Sequence, residues 1–333
     1  MSASVEVLRG GVVESRHRVS VAVADAEGRL RATAGTPALL VFARSVAKPF
    51  QAIPLIESGA ADALSLTPGE LALCCGSHGG EPRHVEVVLA MLARLGLEES
   101  SLACGAHAPM HAASAQALRQ AGREPGRVHN NCSGKHAGML ALARHQGWPL
   151  AGYEQPEHPV QQRMLEEVAR WTGLSADSIP TAVDGCGVET YAVPLERLAH
   201  AYARLAGEAR RRDGAARRVV RAMVQHPEAV GGTDRLCTEL MRVTGGRILV
   251  KVGAEGVYCA GIPGAELGVA VKVEDGATRA SEPALVAALR ALQVLEEDEV
   301  AALGRWAEPD LTNTRGDRVG TIRAAIRLEA GKG

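Results

Sequence analysis

Lysine is scarce in this chain, and three of its lysines lie where a side-chain amine could take part in chemistry. The sequence has 37 basic residues, of which only five are lysine. Arginine serves where only positive charge is needed, so a position that keeps lysine is a candidate for an amine that can lose its proton. Lys48, Lys135 and Lys251 lie in segments of small residues, near a serine or cysteine or at the end of a predicted buried strand. This pattern predicts amine chemistry; the alternative is chance survival of three lysines.

Ser45 and Lys48 form a Ser-x-x-Lys motif at a predicted helix start, in a helix that continues to Gly59. Residues three apart share a helix face, so the amine can reach the hydroxyl. A hydroxyl is a poor nucleophile near neutral pH and needs an adjacent base. A lysine fills that role when burial or nearby positive charge lowers the pKa of its amine. The motif alone is weak, but the scarcity of lysine and the apolar residues that follow favour a nucleophile–base pair.

Ser77 and Lys251 extend this motif along the chain. Ser77 lies in a glycine-rich turn at 76–80, and Lys251 lies on a predicted strand. The order Ser-x-x-Lys, serine-containing loop, Lys-x-Gly parallels the Ser-x-x-Lys, Ser-x-Asn and Lys-Thr-Gly elements of penicillin-recognising serine enzymes. Gly79 stands where asparagine would stand, and Val252 where threonine would stand. The order predicts a related site layout; the alternative for Ser77 is a turn serine that satisfies local backbone groups.

Cys132, Lys135 and Cys186 form a second candidate group. Cys132 and Lys135 are three apart at a predicted helix start, and Cys186 lies in a glycine-rich corner at 184–187. Thiolates suit zinc, and a zinc ion that takes part in catalysis or substrate orientation usually keeps an open fourth position. A lysine ligand must be neutral, and the metal would itself force the proton off. From spacing alone, buried inert thiols are the commoner alternative.

The composition of the chain narrows its class of partner. A length of 333 residues with 46% hydrophobic content supports one large or two medium domains. A net charge of −1 without a long run of one sign argues against nucleic-acid and membrane-surface partners. No secretory signal is expected at the N-terminus, and no apolar run approaches the roughly 20 residues that span a bilayer. Seven scattered cysteines predict reduced thiols and a cytoplasmic location.

Predicted strands lie at both ends of the chain, with helices between them. Short β-branched runs alternate with turns over 5–42, and strands return over 247–273 and near 320–328. Amphipathic helices dominate a block from about 45 to 245. This is not the alternating order of a doubly wound parallel sheet. The sequence therefore predicts an α/β (α+β) fold, with an antiparallel sheet from both termini and a large helical region, in a single catalytic domain over 1–333.

Six segments in chain order carry a resemblance to a known family. They are Arg-Ser-Val-Ala-Lys-Pro-Phe-Gln (44–51), Cys-Cys-Gly-Ser-His (74–78), Cys-Gly-Ala-His-Ala-Pro (104–109), His-Asn-Asn-Cys-Ser-Gly-Lys-His-Ala-Gly-Met-Leu (129–140), Val-Asp-Gly-Cys-Gly-Val (183–188) and Lys-Val-Gly-Ala-Glu-Gly-Val-Tyr (251–258). Together they resemble the rhizobial-type, or class 3, L-asparaginases of the asparaginase II family. The segments at 130–136 and 183–187 are specific, whereas Ser-x-x-Lys by itself is not.

The resemblance implies an activity and a set of roles. The implied reaction is hydrolysis of L-asparagine to L-aspartate and ammonia, in a cytoplasmic homodimer with a fold similar to serine β-lactamases and bacterial glutaminases. The implied catalytic residues are the nucleophile Ser45, its base Lys48, and a proton-relaying pair, Ser77 and Lys251. The implied zinc ligands are Cys132, Lys135 and Cys186. The residues expected around the substrate are Arg44, Asn131, His136 and Asp184.

Three alternatives stay open at this point. The chain could be a glutaminase, or a serine hydrolase directed at β-lactams or peptides on the same scaffold. It could also be a zinc-containing amino-acid sensor without turnover, which would use the same pocket to bind and not to cut. Within the asparaginase hypothesis, the acylated nucleophile could be Ser45 or Ser77.

Overall fold

The computed structural model describes residues 3–211 and 213–331 of the chain. The chain divides into two compact units. The sheet unit comprises Met1–Val46, Ala192–Gly207 and Glu239–Gly333, and the helical unit comprises Ala47–Tyr191 and Glu208–Thr238. The single catalytic domain over residues 1–333 stays a prediction.

The strands include long members near both chain ends. They are β1 Ser4–Arg9, β2 Val12–Asp25, β3 Leu30–Ala34, β4 Leu40–Phe42, β5 Thr181–Val183, β6 Glu189–Pro194, β7 Leu249–Val252, β8 Val257–Ile262, β9 Leu267–Val273, β10 Asp310–Thr312, β11 Arg318–Ala325 and β12 Glu329–Ala330.

Nine strands in the described part of the chain form one sheet, and all nine belong to the sheet unit. The main order is β10-β11-β1-β2-β9-β8-β7, while β3 pairs with β2 and β12. Every pairing is antiparallel, and β1 lies between β2 and β11, with Val5 opposite both His17 and Ala324. The first and last parts of the chain therefore share a sheet, which confirms the predicted fold class.

Helices occupy most of the chain between the terminal strands. They are α1 Lys48–Glu57, α2 Ala60–Ala63, α3 Pro68–Cys74, α4 Pro82–Arg94, α5 Ala112–Gln120, α6 Ser133–Gln146, α7 Pro159–Thr172, α8 Leu195–Glu208, α9 Ala215–Gln225, α10 Pro227–Val230, α11 Leu236–Val243, α12 Thr278–Ala291, α13 Glu297–Ala302 and α14 Gly304–Ala307. None of the described helices has both the length and the apolar character needed to cross a membrane.

In the sheet unit, helices pack directly on the strands. Helix α12 contacts β1, β8, β9 and β11. Helix α8 approaches β9 so closely that a Cβ atom on Gly268 would lie 2.0 Å from the carbonyl oxygen of Ala199. Glycine is required where two backbones come this near.

In the helical unit, α1 and α3 form the centre of the packing. Helix α1 contacts α6, α7 and α9, and α3 contacts α6, α9 and α10. Helix α3 begins at a capping box, in which Thr67 Oγ1 accepts from the Glu70 amide and Glu70 Oε2 accepts from the Thr67 amide at 2.8 Å. The residues Thr67-Pro68-Gly69-Glu70 themselves predict a capped helix start, with proline in the first turn and glutamate three residues after threonine. At the other side of α3, Gly134 of α6 packs against the Leu73 backbone, where an added Cβ would lie 2.5 Å from the Leu73 oxygen.

Candidate active site

Ser45 lies in a short 3-10 turn, Arg44–Ala47, in place of the predicted first turn of an α-helix. Arg44 has a φ of 50°, a left-handed backbone conformation that is uncommon for residues other than glycine. Such backbone strain is concentrated at functional sites, where the surroundings must hold it in place. Here Tyr202 donates a hydrogen bond from its hydroxyl to the Val46 carbonyl at 2.8 Å, within the sheet unit. Ser45 itself is half-buried.

Lys251 lies on β7, in the same unit as Ser45. Its side chain is fully buried, and Nζ donates to the Val252 carbonyl at 2.8 Å. Just beyond β7, an added Cβ on Gly253 would lie 3.2 Å from the Ala43 oxygen and 3.2 Å from Val46 Cγ1. The end of β7 therefore packs against the segment that carries Ser45, and the sheet unit brings these two predicted residues into one region.

Lys48 is the first residue of α1 and is almost fully buried, with 1% of its surface exposed. Its Nζ donates to the Gly76 carbonyl at 2.5 Å and to Ser77 Oγ at 3.0 Å. Both partners lie in the helical unit, in the glycine-rich segment that follows α3. The contact shown by the structure is therefore between Lys48 and Ser77, which the sequence pattern had placed in different pairs.

The segment around Ser77 is fixed by its backbone. The Ser77 amide donates to the Val230 carbonyl at 2.8 Å, and the side chain is 4% exposed. An added Cβ on Gly76 would lie 2.6 Å from the Ala229 oxygen, so glycine is needed for this approach. The hydroxyl is thus held beside a buried amine by a rigid loop and not by a flexible surface turn.

His78 is a buried neighbour of this pair that sequence reasoning did not single out. Its Nε2 lies 3.0 Å from Ser133 Oγ, and its ring stacks on His84 with centroids 4.8 Å apart. Burial, followed by the positive charges of His84 and Lys48, lowers the pKa of His78 well below its ordinary range. In the sequence, the position of His78 next to Ser77 in a glycine-rich turn could have indicated that it belongs to the site.

The lowered pKa of His78 predicts a loss of stability in acid. Below about pH 6.5 the unfolded chain binds a proton at this histidine that the native protein does not. The contribution of His78 is therefore fully present above that pH, and falls by about 1.4 kcal/mol for each pH unit below it. We expect His78→Gln to remove this part of the slope when urea unfolding is followed between pH 7.5 and 5.0. The same change at the exposed His145 serves as a control for the substitution itself; an unchanged slope in His78→Gln would contradict the prediction.

Cys132, Lys135 and Cys186 come together in the helical unit. Cys132 precedes α6, Lys135 lies in its first turn, and Cys186 lies between β5 and β6. Lys135 Nζ donates to Cys186 Sγ at 3.0 Å. A hydrogen bond from Cys132 lowers the pKa of Cys186 to about 5, and the same bond, with burial, raises the pKa of Cys132 to about 12. We call Cys132, Lys135 and Cys186 the thiol–amine group. These shifts favour the thiolate form at Cys186 and the thiol form at Cys132.

The protonation state of Lys135 decides whether this group can bind a metal ion, because only the neutral amine is a ligand. Burial alone would lower the pKa of Lys135, but Cys186, Cys132 and Asp184 outweigh it and raise the pKa. Within the described residues, no three His, Cys, Asp or Glu side chains are grouped so as to hold a metal. The donors here are two sulfurs and an amine, which fit zinc with one position left open, provided that the amine gives up its proton.

The remaining predicted residues of the helical unit surround this group. Asn131 Oδ1 accepts from Cys132 Sγ at 3.5 Å, and Asp184 Oδ1 accepts from the Gly185 amide at 2.7 Å. His136 Nδ1 lies 2.6 Å from the Tyr153 hydroxyl, a partner that the sequence did not indicate. His136 Nε2 is buried and has no hydrogen-bond partner among the described residues.

Electrostatics link the thiol–amine group to the Lys48–Ser77 pair. Burial and the positive charge of Lys135 lower the pKa of His136 to about 3, and the charge of Lys48 acts in the same direction. The charge of Lys48 also lowers the pKa of Cys132, against the larger effects that raise it. The thiol–amine group and the Lys48–Ser77 pair therefore lie close enough within the helical unit to influence each other.

Comparisons with known proteins identify the family. No curated protein sequence matches the chain. A crystal structure of Mglu in its native form is similar at 19% identity, over 85% of this chain and 67% of that chain, with a TM-score of 0.45. A β-lactamase from Mycobacterium bovis is similar at 16% identity, over 83% of this chain and 95% of that chain, with a TM-score of 0.34. The sequence model of L-asparaginase II matches residues 5–324, nearly the whole length, and the chain belongs to the L-asparaginase II family.

Proposed function

We propose that the protein hydrolyses L-asparagine to L-aspartate and ammonia through a serine ester. Membership of the L-asparaginase II family makes the chain an amidohydrolase that acts on a small molecule. The observation that carries the finer proposal is the buried Lys48 amine, held 3.0 Å from the Ser77 hydroxyl in a segment rich in glycine. An amine beside a hydroxyl is the arrangement that activates serine for acyl transfer.

The proposed reaction has two steps. Ser45 Oγ bonds to the side-chain amide carbon, the carbon–nitrogen bond breaks, and the serine proton passes through Lys48 to the leaving ammonia. Water then attacks the aspartyl ester, its carbon–oxygen bond breaks, and a proton returns to Ser45. Ser77 and Lys251 relay protons in both steps. Backbone N–H groups near Ser45 are proposed to bind the oxyanion, worth about 3–4 kcal/mol per donor in analogous sites.

The proposal is tested by ammonia release from purified protein. L-Asparagine, L-glutamine and nitrocefin are compared at equal enzyme concentration, with ammonia or ring opening as the readout. Ammonia from asparagine at the highest kcat/KM supports the proposal. A preference for glutamine assigns a glutaminase, and nitrocefin turnover assigns a β-lactam-directed hydrolase. Binding of asparagine without ammonia release assigns a sensor.

Zinc is proposed to bind at Cys132, Lys135 and Cys186. Its contribution when bound is to orient the substrate together with Asp184, since the Ser–Lys pairs already provide nucleophile and base. The donor set supports this assignment through its two sulfurs and an amine already 3.0 Å from Cys186. Asn131 and His136 are proposed to contact the substrate near this group, and Arg44 to bind the substrate carboxylate.

Removal of zinc is expected to raise KM by at least about tenfold and to leave kcat within about threefold, because an orienting metal contributes to binding more than to the chemical step. The measurement is steady-state kinetics before and after chelation, with zinc content followed by atomic emission. Cys186→Ala should lose the metal, whereas Cys259→Ala, at an equally hidden thiol, should keep it. A chelated enzyme that loses kcat at unchanged KM would reverse the assigned role.

The location and assembly of the protein are also part of the proposal. We propose a cytoplasmic homodimer, as the sequence resemblance implies. The seven cysteines, which are all free thiols in the described structure, are consistent with a reducing compartment. Sedimentation of the purified protein tests the dimer directly.

A further inference from the structure

Glu189, the first residue of β6, is a buried carboxylate with an unsatisfied oxygen. The side chain is 7% exposed. Its Oε2 is fully buried and accepts no hydrogen bond within the described structure. Among residues 3–211 and 213–331, no arginine, lysine or histidine forms an ion pair with this carboxylate. Burial of a carboxylate without a partner is costly, so a native protein that keeps one commonly uses it to bind something.

The pleat of β6 places Glu189 on the same face as Tyr191, because side chains two apart on a strand point the same way. Burial raises the pKa of Tyr191, and the negative charge of Glu189 raises it further. The Gln51 side chain acts in the opposite direction. The charge of Lys135 lowers the pKa of the same phenol, and the charge of Cys186 raises it. Glu189 is paired with Val183 of β5, so it lies at the end of β6 next to the corner at 184–187 that carries Cys186.

A nearby carboxylate, Asp184, is already engaged. Its Oδ1 accepts from the Gly185 amide at 2.7 Å, and its charge acts on Lys135. Glu189 is different, because within the described residues its Oε2 accepts no hydrogen bond and its charge pairs with no cation. An amino-acid substrate carries a positively charged α-ammonium group with three N–H donors. That group would supply both a hydrogen-bond donor for Oε2 and a positive charge for the carboxylate.

We propose that Glu189 binds the α-ammonium group of the substrate. The inference rests on the proposed function and deepens it, because it makes the enzyme selective for amides that carry a free α-amino group. An amide of the same length without that group would leave the carboxylate buried and unpaired, and would therefore be a poor substrate.

The test compares L-asparagine with succinamic acid, which is asparagine without the α-amino group. In the wild-type enzyme we expect kcat/KM for asparagine to exceed that for succinamate. Glu189→Gln should lower kcat/KM for asparagine by about 10- to 100-fold, the range expected when a hydrogen bond to a charged group is lost. The same variant should change kcat/KM for succinamate by less than about threefold, so that the preference collapses.

Glu70→Gln is the matched control, since Glu70 is equally buried, at 7% exposed, but has its partners in Thr67 and Arg94. It should alter stability and leave the substrate preference intact. Glu189→Asp, which keeps the charge on a shorter side chain, should recover part of the preference and guards against misfolding of the glutamine variant. Equal losses on both substrates in Glu189→Gln, with a lower Tm, would make Glu189 purely structural and overturn the inference.

Failure of the proposed function would look different. If the wild-type protein released no ammonia from asparagine, calorimetric binding of L-asparagine and succinamate to wild type and Glu189→Gln would still read out the ammonium contact. Loss of discrimination in the variant supports the role of Glu189, and unchanged discrimination removes it, whichever reaction the protein performs.

Discussion

Lys48→Arg lowers kcat by about 10²- to 10⁴-fold with little change in KM, if Lys48 is the general base. Arginine keeps the positive charge, but its guanidinium does not lose a proton at accessible pH. The change therefore separates the charge of Lys48 from its ability to accept a proton.

The buried position of Lys48 sets the controls for this experiment. With 1% exposure, the site has little room for a larger side chain, so Tm and circular dichroism must accompany the kinetics. Lys48→Met removes the amine without adding volume and should give a similar loss. Lys272→Arg, at a lysine that donates to the Glu255 carbonyl and has no proposed role in the reaction, should leave kcat unchanged. Near-normal activity of well-folded Lys48→Arg would exclude Lys48 as the base.

Ser45→Ala should abolish turnover, with a loss on the order of 10⁴-fold or more, as is typical when a nucleophile is removed. Ser77→Ala should retain more activity, because a proton relay can be bypassed by water while the bond-forming oxygen cannot. Intact mass after brief exposure to a slow asparagine analogue, followed by peptide mapping, should place the acyl adduct on Ser45. Ser281→Ala, at a buried serine that donates to the Thr278 carbonyl, is the control for simple loss of a hydroxyl.

The contact between Lys48 and Ser77 makes this second experiment decisive. Since Ser77 Oγ lies 3.0 Å from the Lys48 amine, it is a competing nucleophile with a base already in place. An adduct on Ser77, together with an inactive Ser77→Ala, would move the nucleophilic role from Ser45 to Ser77 and contradict the proposed mechanism. The family assignment would be unaffected by that result.

Much of the architecture could be predicted from the sequence because its signals are local. Alternating β-branched runs at both ends predicted the antiparallel sheet, and the residues from Thr67 to Glu70 predicted the start of α3. The turn at Ser45 was harder to predict, because an arginine gives no indication in the sequence of the left-handed backbone conformation that Arg44 adopts.

The candidate site was predictable only in part, for a similar reason. The grouping of Cys132, Lys135 and Cys186 followed from helical spacing and from the family resemblance. The contact from Lys48 to Ser77 joins residues far apart in sequence, and no local pattern encodes it. Glu189 reads in sequence as an ordinary polar residue at a strand start, and only its burial without a partner distinguishes it.

Gly134 shows that a family signature can record two different requirements at once. Within the segment at 130–136, the cysteine and lysine carry reactive side chains, but the glycine between them is demanded by the 2.5 Å that would separate its Cβ from the Leu73 oxygen. The close contact between α3 and α6 therefore depends on a glycine within a segment whose other side chains are candidates for chemistry. Not every residue of such a segment therefore takes part in the reaction. A design that transferred only Cys132 and Lys135 to another protein would lose the close helix contact that positions them.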